Sequence, residues 1–139
     1  MRRLGFLLAG ALLIVGCTST SEPASKLTAY TEAFGYAKAL EVAKKENKRL
    51  FIDFSATWCG PCQQLKKTLT DPRVARALQD YVILLIDVDK DPKLTAQFNV
   101  GPIPAYFVVD GDGQWQNLGT GYKDVAQFLA WLKQGGSGG

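Results

Sequence analysis

The residues with the clearest chemical potential are two cysteines, Cys59 and Cys62, which are separated by Gly60 and Pro61. Such a pair can ligate zinc, form a structural disulfide or exchange disulfides with other proteins. Structural zinc normally needs four ligands, and this chain has no histidine and only one other cysteine, Cys17. A disulfide that closes so short a loop stabilises a fold little in the loop-entropy model. The pattern therefore favours redox exchange, with zinc binding and a structural disulfide as alternatives.

The sequence around the pair predicts that a strand leads directly into a helix at this point. Residues 50–56 form a short apolar, aromatic-rich run typical of a strand, and residues 59–69 have the apolar spacing of a helix. A helix N-terminus stabilises an anion by about 0.3–1 kcal/mol, and by about 2 kcal/mol at best. Because the thiolate is the reactive form of cysteine, this position favours thiol chemistry at Cys59.

The rest of the chain alternates between helical and strand patterns. Asp71-Pro72 predicts a helix start, and the Asp-Gly repeat at residues 110–113 predicts a hairpin. The order predicts an α/β fold in which a parallel βαβ half joins an antiparallel ββα half, forming one mixed sheet with helices on both faces. Helices are predicted over residues 31–47, 59–69, 72–79, 92–98 and 123–133, and strands over 50–56, 82–88, 105–109 and 114–118.

The N-terminal residues predict export and lipid attachment. A positively charged start precedes an uncharged run over residues 4–16, which is shorter than the roughly 20 residues that a membrane-spanning helix needs. Ile14-Val15-Gly16-Cys17 resembles the lipobox of bacterial lipoproteins, which implies cleavage before Cys17 and lipid attachment to its sulfur. An ordinary signal peptide and a permanent membrane span are the alternatives.

Composition divides the chain into a signal peptide (residues 1–16), a lipidated N-terminus with a flexible tether (17–29), one globular domain (30–134) and a Gly/Ser tail (135–139). A length of 139 residues with 47% hydrophobic content suits a single core. The 16 Lys and Arg residues nearly balance the 13 Asp and Glu residues, so no basic face indicates nucleic-acid binding. We expect a monomer.

The segment over residues 51–62 resembles the active-site strand and motif of thioredoxins. Its end is the highly specific string Trp-Cys-Gly-Pro-Cys at residues 58–62, and the likeness continues through Gly-Pro-Ile-Pro at 101–104 to the last helix. It covers about residues 30–134. The resemblance implies a thioredoxin fold and a thiol–disulfide oxidoreductase that needs no cofactor and no metal.

Cys59 is predicted to be the nucleophile and Cys62 the resolving thiol. Lowering a cysteine pKa from about 8.5 to about 7 requires roughly 2 kcal/mol, which is more than a helix N-terminus typically supplies. Backbone N–H groups of the first helical turn and the Cys62 thiol are expected to donate the remaining hydrogen bonds to the Cys59 sulfur. Gly60 is expected to allow a tight turn, and Pro61 fits the helix start because its missing N–H would have no intrahelical partner.

Asp53 matches the buried acid of thioredoxins that exchanges protons with the resolving thiol. Burial should raise its pKa, although a strand-end aspartate that faces solvent is the alternative. In many thioredoxins a lysine from the neighbouring strand lies near this acid, but the matching position here is Leu85. The resemblance therefore leaves the details of proton transfer open.

Ile103-Pro104 matches the family's cis-proline, beside which the backbone of Ile103 would pair with an extended substrate segment. A proline in a plain turn is the alternative. The other residues predicted to bind substrate are Trp58, Gly60, Pro61, Gly101 and Pro102, with Gly119 or Gly121 as a further candidate, whereas Phe54, Tyr106 and Phe107 are predicted to lie in the core.

These features predict an enzyme that reduces protein disulfides in the bacterial cell envelope. The domain would be lipid-anchored to the cell membrane or outer membrane and face the periplasm or cell exterior. Since no NADPH site is evident, electrons would come from a membrane reductase, and residues 59–78 somewhat resemble the C-terminal periplasmic domain of DsbD-type reductases. A disulfide oxidase or isomerase, or a non-catalytic thioredoxin-like redox sensor or binding module, is the alternative.

Overall fold

The computed structural model describes residues 29–30 and 35–134. The predicted signal peptide, Cys17, the tether up to residue 28 and the Gly/Ser tail lie outside these residues. In chain order the elements are β1 (Ala29–Tyr30), α1 (Tyr36–Lys45), β2 (Arg49–Ser55), α2 (Gly60–Leu69), α3 (Pro72–Ala77), β3 (Tyr81–Asp87), α4 (Pro92–Gln97), β4 (Ala105–Val109), β5 (Trp115–Thr120) and α5 (Val125–Lys133).

The strands form one mixed sheet in the order β1-β3-β2-β4-β5. Strands β1 and β2 each run parallel to β3, whereas β4 runs antiparallel to both β2 and β5. The predicted parallel βαβ half and antiparallel ββα half are thereby confirmed. β3 lies inside the sheet, which explains its nearly continuous apolar sequence. The two-residue β1 was not predicted, because so short a strand shows no alternating pattern.

Alternate side chains of β2 enter two separate cores on opposite faces of the sheet. Leu50, Ile52 and Phe54 pack in a cluster with residues of α1 and α4. Phe51 packs in the other cluster, with residues of α2, α3 and α5. Because side-chain direction alternates along a strand, Asp53 points to the same face as Phe51, beneath α2.

Three short-range signals fix helix starts close to the predicted positions. The side chains of Asp71, Asp91 and Asp124 accept hydrogen bonds from backbone N–H groups at the beginning of α3, α4 and α5. Asp124 and Gln127 form a reciprocal capping box, so α5 begins at Val125 rather than at residue 123. Within residues 29–30 and 35–134, no helix is both long and apolar enough to cross a membrane.

Candidate redox site

The two motif cysteines form a disulfide at the N-terminus of α2. Their sulfur atoms are 2.10 Å apart. Strand β2 ends at Ser55, and after a short turn Cys59 serves as the N-cap of α2. Cys59 is 6% exposed and Cys62 is fully buried, so of the two cysteines only Cys59 retains solvent-accessible surface. Among the described residues, no group of three or more cysteine, aspartate or glutamate side chains is placed to hold a metal ion.

The first turn of α2 directs a hydrogen-bond donor at the outer sulfur. The backbone N–H of Cys62 donates to the Cys59 Sγ at 3.3 Å. After reduction, the same donor and the helix N-terminus would stabilise a Cys59 thiolate. The carbonyl oxygen of Ile103 lies 3.9 Å from the same sulfur. The two cysteines are therefore not equivalent. Cys59 accepts a hydrogen bond that would stabilise its thiolate, whereas Cys62 is buried, which is the difference that thiol–disulfide exchange requires.

The loop before β4 lies against the disulfide. The Ile103–Pro104 peptide bond is cis, as the resemblance predicts, and Ile103 packs against the small cluster of Ala56 and the two cysteines. The backbone N–H of Gly121 donates to the carbonyl oxygen of Pro104 at 2.8 Å. Of the two glycines that sequence left as alternatives, Gly121 is thus the one bonded to this loop.

An exposed surface surrounds the outer sulfur. Trp58 precedes Cys59 and is 70% exposed, and its indole N–H donates to Asp89 Oδ2 at 2.8 Å, which fixes the ring direction. The other exposed residues of the motif and of the cis-proline loop are Gly60, Pro61, Gly101 and Pro102. The structure thus brings together the seven residues predicted to bind substrate: five are exposed, Ile103 is half-buried and Pro104 is buried.

The reason predicted for Gly60 is wrong. Gly60 is the first residue of α2, its φ is not positive, and a Cβ at this position would meet nothing within 4 Å. A tight turn therefore does not require glycine here. Because Gly60 is exposed and has no side chain, no Cβ projects from the surface next to Cys59.

Asp53 is fully buried and has no hydrogen-bond partner for either carboxylate oxygen. Its neighbours across the sheet are Leu85 on β3 and Tyr106 on β4. Burial raises the pKa of Asp53 from 3.8 to about 7, and the positive charge of Lys66 opposes that rise. Burial, and then the charge of Asp53, raise the pKa of Tyr106, whose hydroxyl donates to the carbonyl of Gly121. The alternative of an aspartate facing solvent is therefore wrong.

Three further residues at the site were not predicted. Asp89 orients Trp58 across a separation of 31 residues, and Lys66 acts on Asp53 from α2. The side-chain amide of Gln63 donates to the carbonyl oxygen of Ala56 at 3.1 Å and so ties α2 to the preceding turn. These contacts depend on the packing of distant segments, so no local pattern could have indicated them.

The fold agrees with comparisons to known proteins. A family model described as a thioredoxin-like domain matches residues 36–136. The thiol:disulfide interchange protein DsbD of Actinobacillus pleuropneumoniae is 30% identical over 127 residues, which cover 86% of this chain and 22% of that protein. The chain therefore spans less than a quarter of the length of that relative.

Two solved structures are similar in fold. A thioredoxin from Thermus thermophilus has a TM-score of 0.65 and 29% identity, covering 78% of this chain and 85% of that one. The oxidised C-terminal domain of Neisseria meningitidis DsbD has a TM-score of 0.62 and 25% identity, covering 77% of this chain and 98% of that one. Since the family model matches most of the sequence and the structure has the same fold, this chain belongs to the thioredoxin-like family.

Proposed function

We propose that this chain is a thiol–disulfide oxidoreductase that reduces protein disulfides, with Cys59 as nucleophile and Cys62 as resolving thiol. The observation that carries the proposal is the Cys59–Cys62 disulfide at the start of α2, in which Cys59 keeps a small exposed area and Cys62 keeps none. This difference in exposure supports different roles for the two sulfurs, with Cys59 as the one that meets an external protein.

The reaction consists of two exchanges that conserve electrons. The Cys59 thiolate attacks one sulfur of a substrate disulfide, the substrate S–S bond breaks, and the departing substrate sulfur takes up a proton. Cys62 then loses its proton and attacks the Cys59 sulfur, which releases the second substrate thiol and forms the Cys59–Cys62 disulfide. The cysteine pair supplies two electrons and the Cys62 proton, and the substrate gains two electrons and two protons, the second of which comes from the solvent that took up the Cys59 proton when the thiolate formed.

Asp53 is the proposed acceptor of the Cys62 proton. It lies beneath α2, and no other described group forms a hydrogen bond with its carboxylate. With a pKa of about 7, its charged and neutral forms are nearly equally populated at neutral pH, which is the condition for efficient proton transfer in both directions.

The substrate would bind as an extended segment across the surface beside Cys59. The backbone of Ile103 would pair with it, and Pro104 would hold that backbone in place. The exposed residues Trp58, Gly60, Pro61, Gly101 and Pro102 would contact its side chains. Such a surface suits many protein substrates, because main-chain pairing is independent of side-chain identity.

We further propose that the domain works in the cell envelope and receives electrons from a membrane reductase. The sequence of the first 17 residues supports this location, and the similarity to DsbD, whose name describes thiol–disulfide interchange, supports electron exchange with another redox protein. The lipid on Cys17 would hold the domain at the membrane, since each buried CH₂ contributes about 0.8 kcal/mol.

Lipid attachment is tested by growing bacteria that express the full chain with radiolabelled palmitate. The wild-type chain should incorporate label and sediment with membranes, whereas Cys17→Ser should lose the label. An unlabelled wild-type chain would contradict the anchor and leave the redox proposal intact.

The direction of the reaction is tested by the equilibrium reduction potential of the cysteine pair. The full chain carrying Cys17→Ser is equilibrated in dithiothreitol buffers, so that Cys59 and Cys62 are the only thiols that titrate. A value near −270 mV, the value typical of thioredoxin, is expected for a reductase. A value near −120 mV, typical of a strong oxidant, would reverse the proposed direction.

A further inference from the structure

Lys66 lies on the side of α2 that faces the buried aspartate. It follows Cys62 by four residues, so the two side chains share one face of the helix. Lys66 is half-buried, whereas the adjacent Lys67 is exposed. The chain therefore directs one of two consecutive lysines towards the protein interior and the other into solvent.

Lys66 forms part of the wall of a pocket of about 210 Å³. Leu85, the neighbour of Asp53 on β3, lines the same pocket, together with Ser55 and Thr57 at the end of β2. The pocket thus lies at the strand position where many thioredoxins carry a lysine. In this chain Lys66, a lysine that lines the pocket, belongs to helix α2.

Among the described groups around Asp53, Lys66 supplies the positive charge that acts on the carboxylate. Leu85 carries no charge, Tyr106 donates its hydroxyl to a backbone carbonyl, and the inner cysteine is neutral in the disulfide. At the pocket rim, Lys90 lies 3.9 Å from the carboxylate of Asp87.

On α5's side of the site, Lys123 lies over the rings of Tyr106 and Trp131, 5.9 and 5.7 Å from their centroids. The cation whose charge acts on Asp53, lowering its pKa against the effect of burial, is Lys66.

We propose that Lys66 is a positioning residue, whose ammonium group keeps part of the Asp53 population ionised and thereby ready to accept the Cys62 proton. The inference rests on the proposed function, because it assigns Lys66 a part in the resolving step. A lysine on α2 would then take the place of the strand lysine of many thioredoxins and approach the carboxylate from a different direction.

The first test is a ¹³C NMR titration of the Asp53 carboxyl carbon in the oxidised protein, where neither Cys59 nor Cys62 titrates. The wild-type midpoint is expected near pH 7. Lys66→Met should move the midpoint upward and Lys66→Arg should restore it. Lys67→Met, which removes an exposed charge from the same helix, should leave it unchanged. Equal midpoints in wild type and Lys66→Met, or equal changes in both methionine variants, would overturn the proposal.

The second test measures the resolving step itself. Reduced protein carrying Cys17→Ser is mixed with excess 5,5′-dithiobis(2-nitrobenzoate), and the second thionitrobenzoate released reports the attack of Cys62 on the Cys59 mixed disulfide. In Lys66→Met the rate of this phase at pH 6 should fall, because loss of the Lys66 charge raises the pKa of Asp53 and leaves less of the carboxylate ionised. The first phase should be unaffected.

The two tests separate the two ideas. A raised carboxyl midpoint with an unchanged second phase would overturn the role of Lys66 in resolution. Failure of the wild-type protein to release the second thionitrobenzoate would refute the proposed function instead, while the NMR titration would still report whether Lys66 acts on Asp53.

Discussion

Replacement of Asp53 by asparagine is expected to stabilise the oxidised protein by up to about 4 kcal/mol above pH 8, by about 1.6 kcal/mol at pH 5, and to change its stability little at pH 3. Burial raises the pKa of this carboxyl from 3.8 to about 7, and a pKa difference of one corresponds to about 1.36 kcal/mol. Between these two values the folded protein binds more protons than the unfolded chain, so the free energy of unfolding falls as pH rises. Above pH 7 the full penalty of a buried, unbonded carboxylate is present.

The measurement is urea unfolding of the oxidised wild type and Asp53→Asn at pH 5, 7 and 9. Asparagine matches the neutral acid in shape and cannot ionise, so the difference in stability should grow across this range. Asp80→Asn serves as the control, because the Asp80 side chain is exposed and keeps its hydration. A difference between wild type and Asp53→Asn that does not vary with pH would contradict the account.

The same substitution should slow the resolving step at pH 7. A positioned general base contributes about 10²–10⁴-fold to a proton transfer, and water can replace part of that contribution. We therefore expect roughly a hundredfold loss in the second phase of thionitrobenzoate release. Retention of the wild-type rate would show that Cys62 gives its proton to another acceptor. A stabilising substitution that reduces activity is the pattern expected when a buried charge is kept for function.

The sequence was sufficient to predict the features that depend on neighbouring residues. The strand before Cys59, the helix after it and the helix start at Asp71 all follow from short-range patterns, and the structure confirms them. The burial of Asp53 was expected from its match to the buried acid of thioredoxins, and the structure confirms it. These features depend on residues that are close together in the chain, so a single sequence is enough to predict them.

Contacts between distant segments could not be predicted in the same way. The pairing of Asp53 with Leu85 depends on the register of two parallel strands, and the approach of Lys66 depends on how α2 lies across them. The bond from Gly121 to Pro104 likewise follows from the β4–β5 pairing, which has an irregularity between Tyr106 and Phe107. The reactive residues of the site could therefore be predicted from the sequence, whereas the residues that surround them could be identified only from the fold.

Replacement of either motif cysteine is expected to abolish catalysed reduction of a protein disulfide such as insulin. Cys59→Ser removes the nucleophile, because a serine hydroxyl does not take part in disulfide exchange. Cys62→Ser retains the nucleophile and removes the resolving thiol. Both variants should therefore show only the background rate of the reductant, but they should differ in the species that accumulates.

The most direct test of the central claim is the intact mass of these variants after reaction with a disulfide-bonded peptide, each in the Cys17→Ser chain. Cys62→Ser should gain the mass of one peptide, attached at Cys59 and removed by dithiothreitol, and Cys59→Ser should gain none. An adduct on Cys62 in the Cys59→Ser variant, or no adduct in either, would contradict the assignment of Cys59 as the nucleophile that meets the substrate.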